Sequence, residues 1–409
     1  MPLTENIVIV GAGHAGGTAA ALLRQHGWQG SITLVGDEPV APYQHPPLSK
    51  AWLTAGTEEP RVALRPDNFY IDKNIGLRLD TRAIAIDRIA QVVILESGER
   101  IAYGRLILAT GCRARRLKLP GFEFTNVLAL RSIGDARQLK TVLQPGRRLA
   151  IIGGGYIGLE VAASARTVGA GAVVIERESR LLARVASPRL SSFFHDAHRA
   201  RGVEIELDAD VMDIAGHDAR ATGVRLADGR TIACDAVLVG VGAAVNEELA
   251  ADAGLVCENG IVVDQAARTS DPGIYAIGDC TRRPLPLYGQ MWRLESVPNA
   301  LEQAKQAAAD ICGVPPPVAE VPWFWSDQFD IRLQIAGLPL QVEKVVVRGD
   351  LPGGRFAVYH LSADHRIQAV ESINLPLEFM VARQLIANRT VVAPEKLADQ
   401  QISVKEVAA

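Results

Sequence analysis

One pattern occurs twice in this chain. NIVIVGAGHAGG, residues 6–17, is echoed by RLAIIGGGYIGL, residues 148–159. Each is a β-rich apolar run, then glycines, then an Ala-rich stretch that reads as helix. Each is followed by a second β run, SITLVGDE at 31–38 and GAVVIERE at 171–178. Strand, glycine turn, helix, strand is the order of a dinucleotide-binding unit. In Gly11-x-Gly13-x-x-Gly16 the first glycine permits a tight turn and the second lets backbone approach a pyrophosphate. The third lets helix and strand pack closely, with the helix N-terminus facing the phosphate charge. Gly153-x-Gly155-x-x-Gly158 repeats the arrangement.

At the end of the later unit's second strand stands Glu176. A carboxylate there accepts hydrogen bonds from a ribose 2′-OH and repels a 2′-phosphate, which favours NADH over NADPH. In the earlier unit the same place holds Gly36, and one of the next two residues, Asp37 or Glu38, is expected to hold the other ribose. Two nucleotide sites imply two nucleotides. A flavin that stays and a nicotinamide that comes and goes is the economical reading, because hydride transfer needs a donor and a bound acceptor.

A length of 409 residues allows two or three domains. With 48% apolar and 22% charged residues the mix is that of a soluble globular enzyme. The net charge of −3 gives no bulk attraction to nucleic acid or an anionic membrane. Cys112, Cys234, Cys257, Cys280 and Cys312 are scattered, with no C-x-x-C pair, which fits a reducing compartment and argues against bound zinc or an iron–sulfur cluster. MPLTENIVIVGAG has no basic leader and no apolar run reaches bilayer length, so a cytoplasmic protein is expected.

Further segments fit around the two units. RLILATG (105–111) and DAVLVGVG (235–242) read as buried strands, and TSDPGIYAIGDC (269–280) as turn, short strand and Gly-Asp end. ALEQAKQAAADICG (300–313) reads as a helix stopped by Gly313, and VPPPVAEVP (314–322) as a linker. VEKVVVRG, GRFAVYHL and IQAVESIN alternate like antiparallel strands, followed by a helix, PLEFMVARQLIAN. His195 and His198, three apart on a predicted helix with no third ligand nearby, read as an exposed helix face. There is no G-x-S-x-G and no H-E-x-x-H, so a hydrolase finds no support.

The paired glycine units with LILATG and GIYAIGD in this order resemble the FAD/NAD(P) flavoproteins related to glutathione reductase. Within that group PYQHPPLSK, GGGYIGLE, ESVPNALEQA and PWFWSDQ resemble the ferredoxin reductases typified by putidaredoxin reductase, and more distantly apoptosis-inducing factor. The resemblance covers essentially the whole chain. It implies an α/β fold with two Rossmann-like domains and a C-terminal α+β domain. The FAD domain would be 1–112 with 238–315, the NAD domain 113–237 and the C-terminal domain 316–409. For FAD the implied residues are Gly11, Gly13, His14, Ala15, Gly16, Asp37, Glu38, Lys50, Ala83, Ala109, Thr110, Gly111, Arg131, Asp279, Val297 and Trp325. For NAD they are Gly153, Gly155, Tyr156, Ile157, Gly158, Glu160, Glu176, Arg184 and Gly242. His45 departs from the family pattern, which more often has arginine there.

The resemblance also implies the chemistry. NADH would pass a hydride to the flavin, and catalysis would be mostly positioning. Lys50 would place a cation near the flavin's redox end, Glu160 in the first helical turn would orient the nicotinamide carboxamide, Glu295 would line the same cavity, and Trp325 would cover the flavin edge. Disulfide-reductase relatives carry a cysteine pair where this chain has APYQHPPLSKAWL (41–53), a proline-stiffened turn without cysteine. Electrons would therefore leave singly from the flavin to a two-iron two-sulfur ferredoxin of an oxygenase system. Arg65, Arg293 and Lys305 are candidates for its docking surface, and a monomer or weak homodimer is expected. Rubredoxin, oxygen or a quinone as acceptor, or a flavin redox sensor, are the alternatives.

Overall fold

The computed structural model describes residues 5–56 and 59–409; the MPLT that opens the N-terminal segment read above lies outside them. The chain divides into two compact units. One comprises Met1–Gln44, Arg61–Arg113 and Ala244–Phe324, the other His45–Pro60, Ala114–Ala243 and Trp325–Ala409.

The first unit is built on a five-stranded parallel sheet in the order Ile274–Ala276, Arg105–Leu108, Ile7–Val10, Ile32–Val35, Ile75–Arg78. Its central strands are buried on both faces: Ile7 and Ile9 point into one apolar cluster, Val8 and Val10 into another. That double burial explains why IVIV and, after Arg105, LIL are continuous apolar runs rather than alternating ones. Helix His14–Gln25 presents its alanines to the sheet and packs against helix Val297–Cys312. Gly313 ends the latter in the left-handed conformation, φ 65°.

The second unit repeats the plan. Its parallel sheet runs Glu204–Glu206, Gly171–Ile175, Arg148–Ile152, Ala236–Val239, Val127–Leu128, with helix Tyr156–Thr167 following the central strand. The same unit holds, from Trp325 on, an antiparallel layer ordered Trp323–Gln328, Ile331–Gly337, Ile367–Ile373, Arg355–Leu361, Lys344–Asp350. Helix Pro376–Ala387 packs on it. The α/β class with two doubly wound sheets and a C-terminal α+β portion is thus as expected. The segment His45–Pro60, which carries Lys50, groups with this unit.

Among the described residues no helix is long and apolar enough to cross a membrane.

Candidate functional site

In each sheet the strand order reverses beside the first strand of the unit, which is where such sheets bind ligands. The glycines stand there. Gly11 has φ +115° and a Cβ on it would meet the Ala109 carbonyl oxygen at 2.1 Å; a Cβ on Gly16 would meet the Gly11 carbonyl oxygen at 2.0 Å. A Cβ on Gly153 (φ +110°) would meet the Gly240 carbonyl oxygen at 2.5 Å, and one on Gly158 the Gly153 carbonyl oxygen at 2.2 Å. These four glycines make the turn and the helix–strand approach possible. Gly155 differs: a Cβ there would meet nothing, so the space above it is open.

The two helices that follow start without help. Gly13 and Gly155 are their N-caps, no side chain caps either one, and neither has an acid in its first turn. Elsewhere Ser132, Ser187 and Ser296 cap helices with their hydroxyls. Bare N-termini with free N–H groups suit a pyrophosphate. At the first of them His14 Nδ1 is buried with no partner among the described residues, and burial lowers the pKa of its imidazole. The donor set and the room over the glycines fit dinucleotides in both units.

Around the first cradle, Ala15 lies beside Gly278, whose φ of +82° lets the Gly278–Cys280 turn approach the helix. That turn carries Asp279, with Cys112 Sγ 3.5 Å from its carboxylate. Thr110 Oγ donates to the Asn246 carbonyl at 2.7 Å, Gly111 takes φ +61°, and Val297 opens its helix behind the Ser296 cap. Glu38 accepts the Tyr43 hydroxyl at 2.9 Å, while Asp37 is exposed. Ala83 is half-buried at the start of strand Ala83–Asp87. Glu295 belongs to this unit and pairs with Arg293.

Around the second cradle, Glu176 is oriented by two backbone donors, Gly154 N–H at 2.7 Å and Glu178 N–H at 2.9 Å. Arg184 approaches Gly242, which has φ +96°. Tyr156 donates to the Val185 carbonyl at 3.2 Å, and Ile157 is exposed at the helix start.

The second unit also assembles a buried polar cluster. The Pro46–Ser49 turn, set by two prolines, delivers Ser49 and Lys50 to helix Tyr156–Thr167. Lys50 Nζ lies 2.7 Å from Glu160 Oε2, Ser49 Oγ donates to the same oxygen at 2.5 Å, and Ser326 Oγ donates to Oε1 at 2.6 Å. Glu160 is 3% exposed and Lys50 20%. Because the helix begins directly after Gly155, Glu160 is its fifth residue and sits in the second turn, not the first as expected. The helix dipole therefore does not account for it; its donors do. His45 Nδ1 lies 3.1 Å from the Arg131 carbonyl oxygen. Trp325 is half-buried and, by strand alternation, points away from the face that carries Ser326.

One further expectation is corrected. His198 is not on an exposed face: it is fully buried against Phe194 and Phe329, and its Nε2 lies 2.8 Å from Gln328 Oε1. Of the docking candidates, Arg293 is engaged by Glu295 and Lys305 Nζ by Glu320 at 3.1 Å, while Arg65 lies over the Phe69 ring at 5.4 Å. Sequence reasoning missed Ser326 and Gln328. The signal was there in FWSDQ, where two polar residues alternate onto the buried face of a strand. The five cysteines are free, and burial raises the thiols of Cys234 and Cys257 to about 11 and pushes Cys280 and Cys312 upward.

Comparison with known proteins gives concordant matches. Residues 5–304 match the pyridine nucleotide-disulphide oxidoreductase model and residues 323–408 the reductase C-terminal model. A probable ferredoxin reductase, CtmF, of Castellaniella defragrans is 48% identical over all of both chains. Putidaredoxin reductase CamA of Pseudomonas putida is 41% identical over 100% of this chain and 98% of its own. The reductase in the crystal structure of the covalent putidaredoxin reductase–putidaredoxin complex superposes with a TM-score of 0.95 at 42% identity, covering 98% of this chain and 97% of that one.

Proposed function

The chain belongs to the pyridine nucleotide-disulphide oxidoreductases, among the FAD- and NAD-using ferredoxin reductases typified by putidaredoxin reductase, and from that premise we propose how its residues divide the work. When bound, FAD accepts a hydride from NADH and parts with electrons singly, which matches a two-electron donor to a one-electron carrier. Residues 1–112 and 238–315 hold the flavin, 113–237 the nicotinamide nucleotide, and 316–409 form a C-terminal α+β domain. The carrier is a two-iron two-sulfur ferredoxin of an oxygenase system, as the names of the relatives suggest. The protein works in the cytoplasm.

The observation that carries this reading is the Lys50–Glu160 pair. It follows a cysteine-free turn, and the thiols that burial raises stay protonated and are poor nucleophiles. Lys50 sets a positive charge at the flavin's redox end, which favours the reduced, anionic ring. Glu160 fixes the ammonium. Its Oε2 takes Ser49 and Lys50 and its Oε1 takes Ser326, so one lone pair on Oε1 is left for the nicotinamide carboxamide. Glu176 selects the ribose without a 2′-phosphate, and Arg184, beside Gly242, serves the same nucleotide.

Anaerobic mixing of the FAD-loaded protein with NADH and with NADPH, then with ferredoxin, rubredoxin or oxygen, tests the reading. Fast bleaching by NADH followed by rapid ferredoxin reduction is expected. Fast direct oxygen consumption, or a long-lived charge-transfer complex that no carrier discharges, would overturn it. Charge reversal at Arg65, Arg293 and Lys305 is expected to slow ferredoxin reduction in a salt-dependent way and to spare NADH oxidation by a small dye.

A further inference from the structure

Behind Glu160 runs a line of buried polar side chains that hydride transfer does not itself require. Ser326 Oγ donates to Glu160 Oε1 at 2.6 Å, Gln328 Nε2 donates to Ser326 Oγ at 3.0 Å, and His198 Nε2 lies 2.8 Å from Gln328 Oε1. Ser326, Gln328 and His198 are at most 1% exposed. Ser326 and Gln328 share one face of strand Trp323–Gln328, and His198 comes from the last turn of helix Pro188–Ala200.

The direction of each bond is forced. An amide oxygen only accepts, so His198 Nε2 carries a proton; an amide nitrogen only donates, so Ser326 Oγ receives it and turns its own hydrogen toward Glu160. The line therefore ends by donating to the Glu160 carboxylate, opposite Lys50. His198 Nδ1 is buried without a partner among the described residues, as suits the neutral Nε2–H tautomer, and burial takes this histidine down to about 4. The charged groups facing the line are Lys50 at Glu160 and, at the other end, Arg201, itself paired with Asp330. Apolar side chains of the same shape would fill this volume without loss of stability, so packing alone does not account for the polar groups.

We propose that His198, Gln328 and Ser326 are positioning residues that hold the Glu160 carboxylate aimed at Lys50, and that they thereby set how fast NADH reduces the flavin. This rests on the reading that Lys50 lies at the flavin's redox end. In the FAD-loaded protein the rate of reduction by NADH and the flavin midpoint potential are followed against pH. Ser326→Ala removes one hydrogen bond to a charged group, so the rate of reduction falls about tenfold across the profile. The potential moves as well, because Glu160 is then held less firmly on Lys50. Gln328→Met and His198→Leu shift both in the same direction by less. His198→Gln, whose amide nitrogen can donate as Nε2 does, restores the wild-type profile.

Folded, flavin-loaded Ser326→Ala and Gln328→Met proteins with unmoved profiles and potentials would overturn the proposal, as would His198→Gln behaving like His198→Leu. If Ser326→Ala fails to fold, Gln328→Met against His198→Gln decides alone. A wild-type protein that NADH does not reduce at any pH defeats the underlying reading, a separate result.

Discussion

Lys50 and Glu160 are separated by 2.7 Å, and the two partners are unequally placed: the lysine is 20% exposed, the glutamate 3%. At that distance and an effective dielectric near 20 the attraction is about 6 kcal/mol before desolvation is subtracted. Burying the two ions takes back most of it, so the net worth of the pair is far smaller. What a substitution exposes is the orphan left behind. After Lys50→Met a carboxylate remains buried, kept in place by Ser49 and Ser326 but without a counter-charge. We expect a loss of about 3 kcal/mol, the low end for breaking a buried pair because two hydroxyl donors remain. After Glu160→Gln the orphan is an ammonium on a flexible four-carbon stem that can swing toward water. The expected loss is about 1 to 2 kcal/mol, since both hydroxyls can still bond the amide. The double variant should cost less than the sum, with a coupling of about 2 kcal/mol. Urea unfolding of the FAD-loaded proteins, followed by flavin fluorescence and circular dichroism, closes the cycle. A coupling under about 0.5 kcal/mol, within the scatter of independent sites, or a greater loss for Glu160→Gln than for Lys50→Met, would refute the reasoning.

Three further outcomes are expected. Glu176→Gln, which keeps an acceptor but loses the charge, should raise the KM for NADH about tenfold and narrow the gap to NADPH, as steady-state kinetics with both coenzymes would reveal. Gly155→Ala meets open space and should leave the melting temperature unchanged while weakening NADH binding at least about tenfold, whereas Gly153→Ala, at φ +110° and facing the Gly240 carbonyl oxygen, should cost about 2 kcal/mol or more; calorimetry and titration separate the two. His198 is held below its ordinary value, from 6.5 to about 4, so its neutral form contributes fully above pH 6.5 and the contribution is lost as the pH falls to about 4. Thermal scans against pH should show about 3 kcal/mol of acid destabilisation that His198→Gln lacks.

The parallel sheets were legible because their strands are buried on both faces and read as unbroken apolar runs, IVIV, RLAII and AVLV, each feeding a glycine turn. The C-terminal strands Lys344–Asp350, Arg355–Leu361 and Ile367–Ile373 were legible from alternation and from the turns between them. Two small antiparallel sheets escaped. The one formed by Ala83–Asp87, Val92–Leu95 and Arg100–Ala102 is short and carries a register shift. The one formed by Val211–His217, Arg220–Leu226 and Thr231–Ala233 has a glycine in each of its two long strands and two register shifts, which blur the period of two. Of the candidate site, single positions such as Lys50 and Glu160 could be named, but not what they touch. Ser49 and Lys50 are more than 100 residues from Glu160, and Ser326 is farther still. Glu160, Ser326, Gln328 and His198 look like surface residues until the fold buries them together.

The repeated units also explain how one architecture takes two nucleotides. In the second unit the loop residue between the first two glycines is Gly154, and the missing side chain lets the strand-end Glu176 bend over the loop and take its N–H at 2.7 Å. In the first unit the same loop position is Ala12. A Cβ on Gly36, the counterpart of Glu176, would lie 2.4 Å from the Ala12 Cβ, so no side chain fits there. The acid is displaced along the chain to Asp37 and Glu38, of which Glu38 is tied to the Tyr43 hydroxyl. An acid one or two residues farther on meets a ribose from a different direction. The loop residue and the strand-end residue therefore act as a pair: glycine with glutamate in one unit, alanine with glycine in the other. Exchanging only one member of either pair puts two side chains in one place or leaves the ribose without its carboxylate.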